Sequence, residues 1–293
     1  FQAEDGIRDC LLSRGLGDVY KRQGRKEVFM GRAKFGVFGD GKELPQIAMS
    51  KFFNNGDFRS GYYRDQTFMM AIDQLNANQF FAQLYAHTDI NFDPHSGGRQ
   101  MNCHFGTRML NSSGDWKTLT DMKNSASDVS CVSGQMPRIV GLGYASKLYR
   151  ENKDLGQMQN FSINGNEVIF GTIGDASTSE GHFWESINAC GVLQIPVVMS
   201  IWDDGYGISV PSEYHTTRND LSKVLSGFQR SSKKENGFEL FTVKAWDYEG
   251  LLKAYSKAVK VAREDHVPSI IHVKDVTQPV SYTHLTLPTI LLV

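Results

Sequence analysis

The middle of the chain alternates short apolar runs with stretches of helical periodicity. Residues 167–173 and 197–202 are two such runs, and an Asn-Gly pair typical of turns precedes the first. Between them, Phe183, Ile187 and Cys190 recur at the spacing of one helix face. The order strand, helix, strand within so short a segment predicts a βαβ unit with parallel strands.

The same alternation continues on both sides of this unit. Residues 249–264 carry an apolar face at helical spacing, and 269–275 are typical of a strand. Upstream, 135–149 and 67–85 have mainly helical patterns. Alternating strands and helices predict an α/β fold, in which a doubly wound, mostly parallel sheet carries helices on both faces.

Composition narrows the possible functions more than it defines the fold. The chain has 293 residues and a formal net charge of -1, with 40% hydrophobic and 22% charged residues, which is ordinary for a globular protein. The balanced charge argues against a nucleic-acid partner or an anionic membrane surface. No apolar stretch approaches the roughly 20 residues of a membrane helix. The four cysteines form no CxxC pair, which favours free thiols, a cytoplasmic location and no zinc site.

The two ends of the chain lack the patterns of the middle. Residues 1–23 show no sustained helical or strand period, and 280–293 follow a strand signal and end in bare apolar residues. Both segments resemble translated read-through from sequencing adaptors, and genuine flexible tails are the alternative. We therefore expect the chain to be a fragment, with one truncated domain over 24–279 and two non-native tails that pack little against it.

Acidic residues follow both strands of the predicted βαβ unit. Asp175 comes directly after the first strand, and Asp203 and Asp204 come directly after the second. Turn chemistry is one explanation, since Asp and Gly both favour turns. The other is a ligand site, because the carboxyl ends of parallel strands meet at one edge of the sheet. The helix that begins near Ser179 would point its free N–H groups at this site, which suits a phosphate. A divalent cation bound there would offset the repulsion between the phosphate and the carboxylates.

The residues around these acids resemble a known family. Gly174-Asp175-Ala176, followed after 27 residues by Asp204, is similar to the thiamine-diphosphate motif. GDASTSEG at 174–181 and DDGYGIS at 203–209 together resemble the alpha subunit of 2-oxoacid dehydrogenases, especially its branched-chain members. The likeness extends over about 25–279.

The resemblance implies a cofactor site made from several separated segments. Its cofactor contacts would be Tyr63, Arg64, Ser130, Val132, Gly174, Asp175, Ala176 and Tyr206. Mg²⁺ would be held by Asp175, Asp204 and the carbonyl oxygen of Tyr206. From the residues alone, two other interpretations stay open. Arg64 could pair with Asp65 on a surface helix, and Ser130 could be a simple helix N-cap.

Three positions depart from the family pattern. Ala176 replaces the third glycine of the motif, Asp204 replaces the usual asparagine, and Trp202 stands where branched-chain members often have a phosphate-binding arginine. The catalytic residue is not assigned, because the family's histidine loop is expected soon after Pro279, where this chain continues as VSYTHL. His284 lies in a different context and does not take that role.

The resemblance also implies an activity. This is the thiamine-diphosphate-dependent oxidative decarboxylation of a 2-oxoacid, with transfer of the acyl group to a lipoyl group. The cofactors would be thiamine diphosphate and Mg²⁺. The partners would be the small-molecule 2-oxoacid, a beta-type dehydrogenase domain or subunit, and a lipoyl-bearing acyltransferase. A transketolase-like transferase and a non-catalytic metal- or diphosphate-binding domain are the alternatives, and the chain alone is expected to be inactive.

Overall fold

The computed structural model describes residues 20–232 and 234–277 and the strand pairing of 283–284. The strands are β1 (Phe35–Gly36), β2 (Phe58–Ser60), β3 (Asn124–Ser125), β4 (Ile169–Gly174), β5 (Val197–Trp202), β6 (Tyr206–Gly207), β7 (Val210–Pro211), β8 (Glu239–Lys244), β9 (Ser269–Lys274) and β10 (Thr283–His284). The helices are α1 (20–29), α2 (Glu43–Ser50), α3 (Gln66–Ala71), α4 (Ala77–Leu84), α5 (Met136–Glu151), α6 (Gly181–Leu193), α7 (Leu221–Leu225) and α8 (Tyr248–Asp265). None of the helices in these described ranges is both long and apolar enough to cross a bilayer.

Six of the strands form one parallel sheet in the order β3-β2-β4-β5-β9-β8. Strands β4 and β5 pair along their whole length, so that Gly174 lies opposite Trp202 where both strands end. The other strands form two small antiparallel pairs, β1 with β10 and β6 with β7. The predicted mostly parallel sheet is confirmed.

Helices cover both faces of this sheet. Successive side chains of a strand point to opposite faces. Phe170 of β4 accordingly belongs to a core that includes Tyr255 of α8, whereas its neighbour Ile169 belongs to a second core with Phe183 of α6. Helices α1 to α4 also contribute to the first core, and α5 and α7 to the second. This arrangement is the predicted doubly wound α/β fold.

The segment 67–85, predicted to be mainly helical, contains two helices, α3 and α4. The chain turns between them at Asp73, whose φ of 60° is left-handed. A capping box then starts α4, in which Asn76 and Gln79 each accept the other's backbone N–H at 3.0 Å. Apolar residues continue across the break, since Ile72 is also buried. The apolar pattern therefore predicts the helical structure but not the break, which local hydrogen bonding produces.

The predicted start of α6 is also displaced. The sequence predicts a start near Ser179, but Ser177, Thr178 and Ser179 lie in a separate 3-10 turn, and the N-cap is Glu180. The Thr178 hydroxyl instead donates to the carbonyl oxygen of Asp175 at 2.6 Å. This hydrogen bond closes the turn directly after β4, so the helix begins later than the residue types suggest.

Helix α1 is part of the domain, contrary to the prediction for its first residues. Tyr20 and Lys21 are buried. The Nζ atom of Lys21 lies 2.5 Å from Glu43 Oε1 and 3.1 Å from the carbonyl oxygen of Gly39. The expectation that residues 1–23 pack little is therefore wrong for the part that lies in α1. The earlier part lies outside the described residues.

The predicted C-terminal tail, 280–293, is described at one point alone. There β10 pairs antiparallel with β1, with His284 opposite Phe35. The rest of this segment lies outside the described residues. The non-native origin of both terminal segments stays a prediction.

Candidate functional site

The acids predicted to meet at the carboxyl edge of the sheet do meet there. Asp175 directly follows β4, and its N–H donates to the carbonyl oxygen of Trp202 at 3.1 Å. Asp203 and Asp204 directly follow β5, and the Asp203 N–H donates to the carbonyl oxygen of Val273 on β9 at 2.9 Å. The hydrogen bonding of the sheet thus continues one residue beyond each strand and fixes the backbone of these neighbouring acids.

A cavity of about 540 Å³ opens at this edge. Its walls come from the residues after β4, from the β6–β7 hairpin and from two segments elsewhere in the chain. They are Tyr63, Arg64, Val132, Gly174, Asp175, Ala176, Ser177, Asp204, Tyr206, Gly207, Ile208 and Ser209. All the predicted cofactor and metal residues line the cavity except Ser130. The structure therefore brings these separated segments together, while the ligand role of each residue stays a prediction.

Asp175 is a buried acid with one oxygen left without a partner. It is 3% exposed, and within the described residues its Oδ2 has no hydrogen-bond partner. Burial and the nearby carboxylates of Asp204 and Asp203 raise the pKa of Asp175 to about 8. A divalent cation would favour the ionised form and would bind the oxygen that has no partner. The surroundings of Asp175 therefore fit a metal site.

The two acids after β5 have different partners. Asp203 Oδ2 lies 2.7 Å from Nε2 of His272 on β9, and its Oδ1 accepts the Gly205 N–H at 3.0 Å. Burial acts to raise the pKa of Asp203, but these hydrogen bonds lower it overall. Asp204 instead lines the cavity, and its Oδ1 accepts the Tyr206 N–H at 3.2 Å. Both side chains thus accept backbone hydrogen bonds within the turn after β5, as the residue types suggested. Asp204 also lines the cavity.

Lys42 is a residue of this site that sequence reasoning missed. It lies directly before α2 and is 1% exposed, and its Nζ is 3.1 Å from Asp204 Oδ2. Burial lowers the pKa of Lys42, and the Asp204 carboxylate opposes that shift. The two residues are 162 positions apart in the chain. The local sequence, a lysine after Gly-Asp-Gly, does not predict a contact with an acid so far along the chain.

The Tyr63–Arg64 pair reaches the cavity from the loop before α3. The Arg64 guanidinium lies 5.3 Å from the centre of the Tyr63 ring. The carbonyl oxygen of Arg64 accepts a hydrogen bond from Gln46 Nε2 at 2.8 Å. The alternative of a surface helix with an Asp65 ion pair is wrong, because Asp65 is fully buried and its Oδ2 binds Arg59 at 2.8 Å. A phenol and a cation are therefore fixed at one wall of the cavity.

Ser130 and Val132 differ in their relation to the cavity. Val132 lines it, whereas Ser130 lies outside the lining, with its Oγ 3.0 Å from Nε2 of His104. The N-cap of α5 is Gln135, so the N-cap interpretation of Ser130 is wrong. Ser130 therefore does not line the cavity, and its hydroxyl group contacts the buried His104.

The tryptophan at position 202 belongs to the core of the domain. It is fully buried in the core and does not line the cavity. Within the described residues, Arg64 is the cation of the cavity lining, and Lys42 lies against the lining residue Asp204.

The donor atoms at this edge suit a hard divalent cation only together with other oxygens. Across the described residues, no group of three His, Cys, Asp or Glu side chains is arranged to hold a metal ion. Mg²⁺, however, usually binds proteins through one or two carboxylates, with ligand phosphates and water filling the other positions. Asp175 and Asp204 with the carbonyl oxygen of Tyr206 fit such a mixed ligand set.

A doubly wound parallel sheet with acids and a cavity at its carboxyl edge is typical of α/β proteins that bind ligands in the crevice there. Within this class the chain belongs to the dehydrogenase E1 component family, which it matches over residues 16–276. It is 26% identical over 272 residues to the 2-oxoisovalerate dehydrogenase subunit alpha of Bacillus subtilis, a match that covers 92% of this chain and 69% of that protein. It is 24% identical over 213 residues to the mitochondrial 2-oxoisovalerate dehydrogenase subunit alpha of Homo sapiens, with 73% and 41% covered.

Solved structures of transketolases share the fold. A transketolase mutant from Pichia stipitis has a TM-score of 0.55 at 14% identity, covering 94% of this chain and 39% of that one. The transketolase from Leishmania mexicana has a TM-score of 0.52 at 12% identity, covering 93% and 36%. At these identities the likeness shows the fold alone. The chain spans well under two thirds of these transketolases and of the human relative.

Proposed function

We propose that this chain is the alpha-type, diphosphate-binding part of a thiamine-diphosphate-dependent 2-oxoacid dehydrogenase. The observation that carries the proposal is the placement of Asp175 and Asp204 at one cavity where β4 and β5 end, with one Asp175 oxygen lacking a partner among the described residues. Family membership supports the reaction, oxidative decarboxylation of a 2-oxoacid with acyl transfer to a lipoyl group. The names of the relatives favour a branched-chain 2-oxoacid as substrate.

The chain's own residues would bind and orient the cofactor. Asp175, Asp204 and the carbonyl oxygen of Tyr206 would hold Mg²⁺, and Tyr63 with Arg64 would bind the diphosphate. Further cofactor contacts would come from Ser130, Val132, Gly174 and Ala176. Thiamine diphosphate, when bound, supplies the electron-accepting chemistry that decarboxylation requires. The protein's part is then to fix the diphosphate end and to exclude water.

Proton transfer would need groups from a partner. The described lining of the cavity contains neither histidine nor glutamate, and general acid–base help typically contributes about 10²–10⁴-fold. We therefore propose that a beta-type dehydrogenase domain or subunit completes the site. A lipoyl-bearing acyltransferase would receive the acyl group. We place the protein in the cytoplasm, in keeping with the free thiols of Cys103, Cys131 and Cys190.

Titration calorimetry of the 293-residue chain with thiamine diphosphate and Mg²⁺ tests the proposal. Asp175→Asn and Asp203→Asn are matched variants, since each removes one carboxylate and keeps the side-chain size. We expect Asp175→Asn to weaken binding on the order of 100-fold, because one charge facing the metal is lost. Asp203→Asn should weaken it by less than about 3-fold, because Asp203 bonds to His272. Equal losses would refute the assignment, and binding that a chelator leaves unchanged would exclude the metal.

The two alternative functions would give different results in activity assays. A transketolase-like transferase would move a ketol group between sugar phosphates, and a non-catalytic domain would bind the cofactor without turnover. The family match and the named relatives favour the dehydrogenase, while the transketolase likeness reflects fold alone. With a beta-type partner present, we expect a branched-chain 2-oxoacid to reduce an artificial electron acceptor. Ketol transfer, or cofactor binding with no turnover, would support the other two functions.

A further inference from the structure

We propose that Lys42 is a further residue of the metal and diphosphate site, where its ammonium group balances the charge of Asp204. This inference rests on the proposed function, because it concerns the same cavity. Its basis is the contact of 3.1 Å between Lys42 Nζ and Asp204 Oδ2, whose side chains are 1% and 8% exposed. A charge pair this deeply buried is weakly screened by solvent, so each partner strongly affects what else can bind beside it.

The three acids at this edge have different partners, and the Lys42–Asp204 pair decides which acid is left to bind a cation. Asp203 is hydrogen-bonded to His272 at 2.7 Å. Asp204 is paired with Lys42, whereas Asp175 Oδ2 has no partner within the described residues. With Lys42 in place, the Asp204 pair carries no net charge. Asp175 is then the acid that offers a cation an oxygen without a partner in the described residues.

The backbone around Lys42 is shaped to place it at this edge. Gly41 has a φ of 81°, and a Cβ there would lie 1.7 Å from the carbonyl oxygen of Thr277. A Cβ on Gly39 would lie 2.3 Å from the carbonyl oxygen of Arg64. Only glycine allows both close approaches, so the 39–42 turn fits tightly between the Arg64 loop and the segment after β9. This turn therefore fixes Lys42 relative to the Arg64 wall of the cavity.

The ammonium group of Lys42 should have opposite effects on the binding of a cation and of a diphosphate. A lone divalent cation is repelled by the Lys42 ammonium group, which also offsets the charge of Asp204. A diphosphate without metal is attracted by the same ammonium group. Removing the lysine should therefore strengthen cation binding and weaken diphosphate binding. A residue that merely stabilises the fold would not change the two affinities in opposite directions.

Lys42→Met tests this in the full chain without thiamine diphosphate. We expect the affinity for Mn²⁺, followed by electron paramagnetic resonance, to rise about 3–10-fold. We expect the affinity for inorganic diphosphate without metal to fall by about 10-fold. Adding Asp204→Asn to Lys42→Met should abolish the gain in Mn²⁺ affinity, because the uncompensated acid is then gone.

Lys21→Met is the matched control. Lys21 is also fully buried, and its Nζ lies 2.5 Å from Glu43 Oε1 and 3.1 Å from the carbonyl oxygen of Gly39 in the same turn. Both substitutions break a buried ion pair, so both should lower the thermal midpoint of the chain. Only Lys42→Met should change the two affinities, because the Lys21 pair does not contact the acids at the cavity.

Three results would overturn the role of Lys42. These are wild-type Mn²⁺ and diphosphate affinities in Lys42→Met, changes of equal sign for the two ligands, and equal changes in Lys21→Met. If Lys42→Met does not fold, Asp204→Asn replaces it as the test. This variant should bind inorganic diphosphate more tightly than the wild-type chain, because Lys42 then lacks its counter-charge. An unchanged or lower affinity for diphosphate would overturn the role of Lys42. Wild-type protein that fails to bind thiamine diphosphate with Mg²⁺ would instead refute the proposed function.

Discussion

Three neighbouring carboxylates at the carboxyl edge differ because their surroundings differ. Asp175 has a raised pKa and an oxygen that lacks a partner in the described residues. Asp203 is bonded to His272, and Asp204 to Lys42. The sequence could predict that acids follow both strands, because that placement is local. It could not predict their partners, because His272 and Lys42 come from a distant strand and a distant turn.

Arg59 is another buried charge whose role depends on the tertiary fold. Its guanidinium lies 2.8 Å from Asp65 and 2.9 Å from Asp128, and all three side chains are at most 1% exposed. Removing the central cation of such a network leaves two buried acids without compensation, which costs about 3–5 kcal/mol. We therefore expect Arg59→Met to lower the free energy of unfolding by about that amount in urea denaturation.

An exposed ion pair provides the control for this prediction. Lys253 Nζ lies 2.6 Å from Glu249 Oε1 on α8, and these side chains are 70% and 76% exposed. Water screens a pair of this kind and competes for its hydrogen bonds. Lys253→Met should therefore leave the unfolding free energy nearly unchanged. Similar losses in the two variants would contradict the claim that burial decides the value of these ion pairs.

Among the elements, those with apolar runs are predicted well and those with polar interiors are not. Strands β4, β5 and β9 and helices α6 and α8 match their predicted positions within a few residues. The apolar pattern does not predict β2 and β3, because they carry the buried polar residues Arg59, Asn124 and Ser125. Nor does it predict β8, an edge strand that is mostly half-buried or exposed. Hydrogen-bond networks and edge position replace apolar burial in these strands, and neither leaves a clear periodicity.

Helix α8 ends at a histidine that should make stability depend on pH. His266 is its C-cap, with a φ of 53°, and its buried Nε2 lies 2.8 Å from the carbonyl oxygen of Gly165. Burial lowers the pKa of His266 below its ordinary value of 6.5. The folded protein therefore keeps the ring neutral, while the unfolded chain takes up a proton near pH 6.5. The fold must lose stability as the pH falls through about 6.5 toward the folded-state pKa.

His266→Asn removes this titration and keeps the local geometry. Asparagine tolerates the left-handed backbone of a helix C-terminus, and its amide can donate to the carbonyl oxygen of Gly165. Thermal unfolding at about pH 7.5 and about pH 5.5 checks the prediction. The midpoint of the wild-type chain should fall further between these values than that of the variant. Two profiles that fall in parallel would show that His266 does not contribute.

The whole molecule presents its cavity at an edge with exposed apolar side chains. Val132, Tyr206 and Ile208 line this cavity and are 46%, 57% and 69% exposed. Apolar surface beside a ligand site commonly marks a protein interface. Under the proposed function, this is the surface that the beta-type partner covers. The same contact would close the site over the cofactor and exclude water from it.

The first consequence concerns activity. We expect the chain alone to bind thiamine diphosphate with Mg²⁺ but to turn over branched-chain 2-oxoacids at least about 100-fold more slowly than with a beta-type partner. The reason is that the described lining of the cavity contains neither histidine nor glutamate for proton transfer in the chemical step. Decarboxylation with an artificial electron acceptor, measured with and without that partner, checks this. Comparable rates would show that the catalytic groups lie within this chain.

The second consequence concerns the interface itself, and Ile208 tests it. This side chain is 69% exposed, and its φ of 59° is rare for a β-branched residue. Burying an isoleucine against a partner contributes about 1.5–3 kcal/mol, so Ile208→Gln should weaken binding of the beta-type partner about 10-fold or more.

Val192→Gln is the matched control, because Val192 is 60% exposed near the C-terminal end of α6, away from the cavity. Titration calorimetry with the beta-type partner should show a loss for Ile208→Gln and none for Val192→Gln. Inorganic diphosphate should bind both variants as it binds the wild-type chain, since glutamine adds no charge to the cavity. If the partner binds both variants equally well, the apolar wall at Ile208 is not its docking surface, and the partner must complete the site from another side.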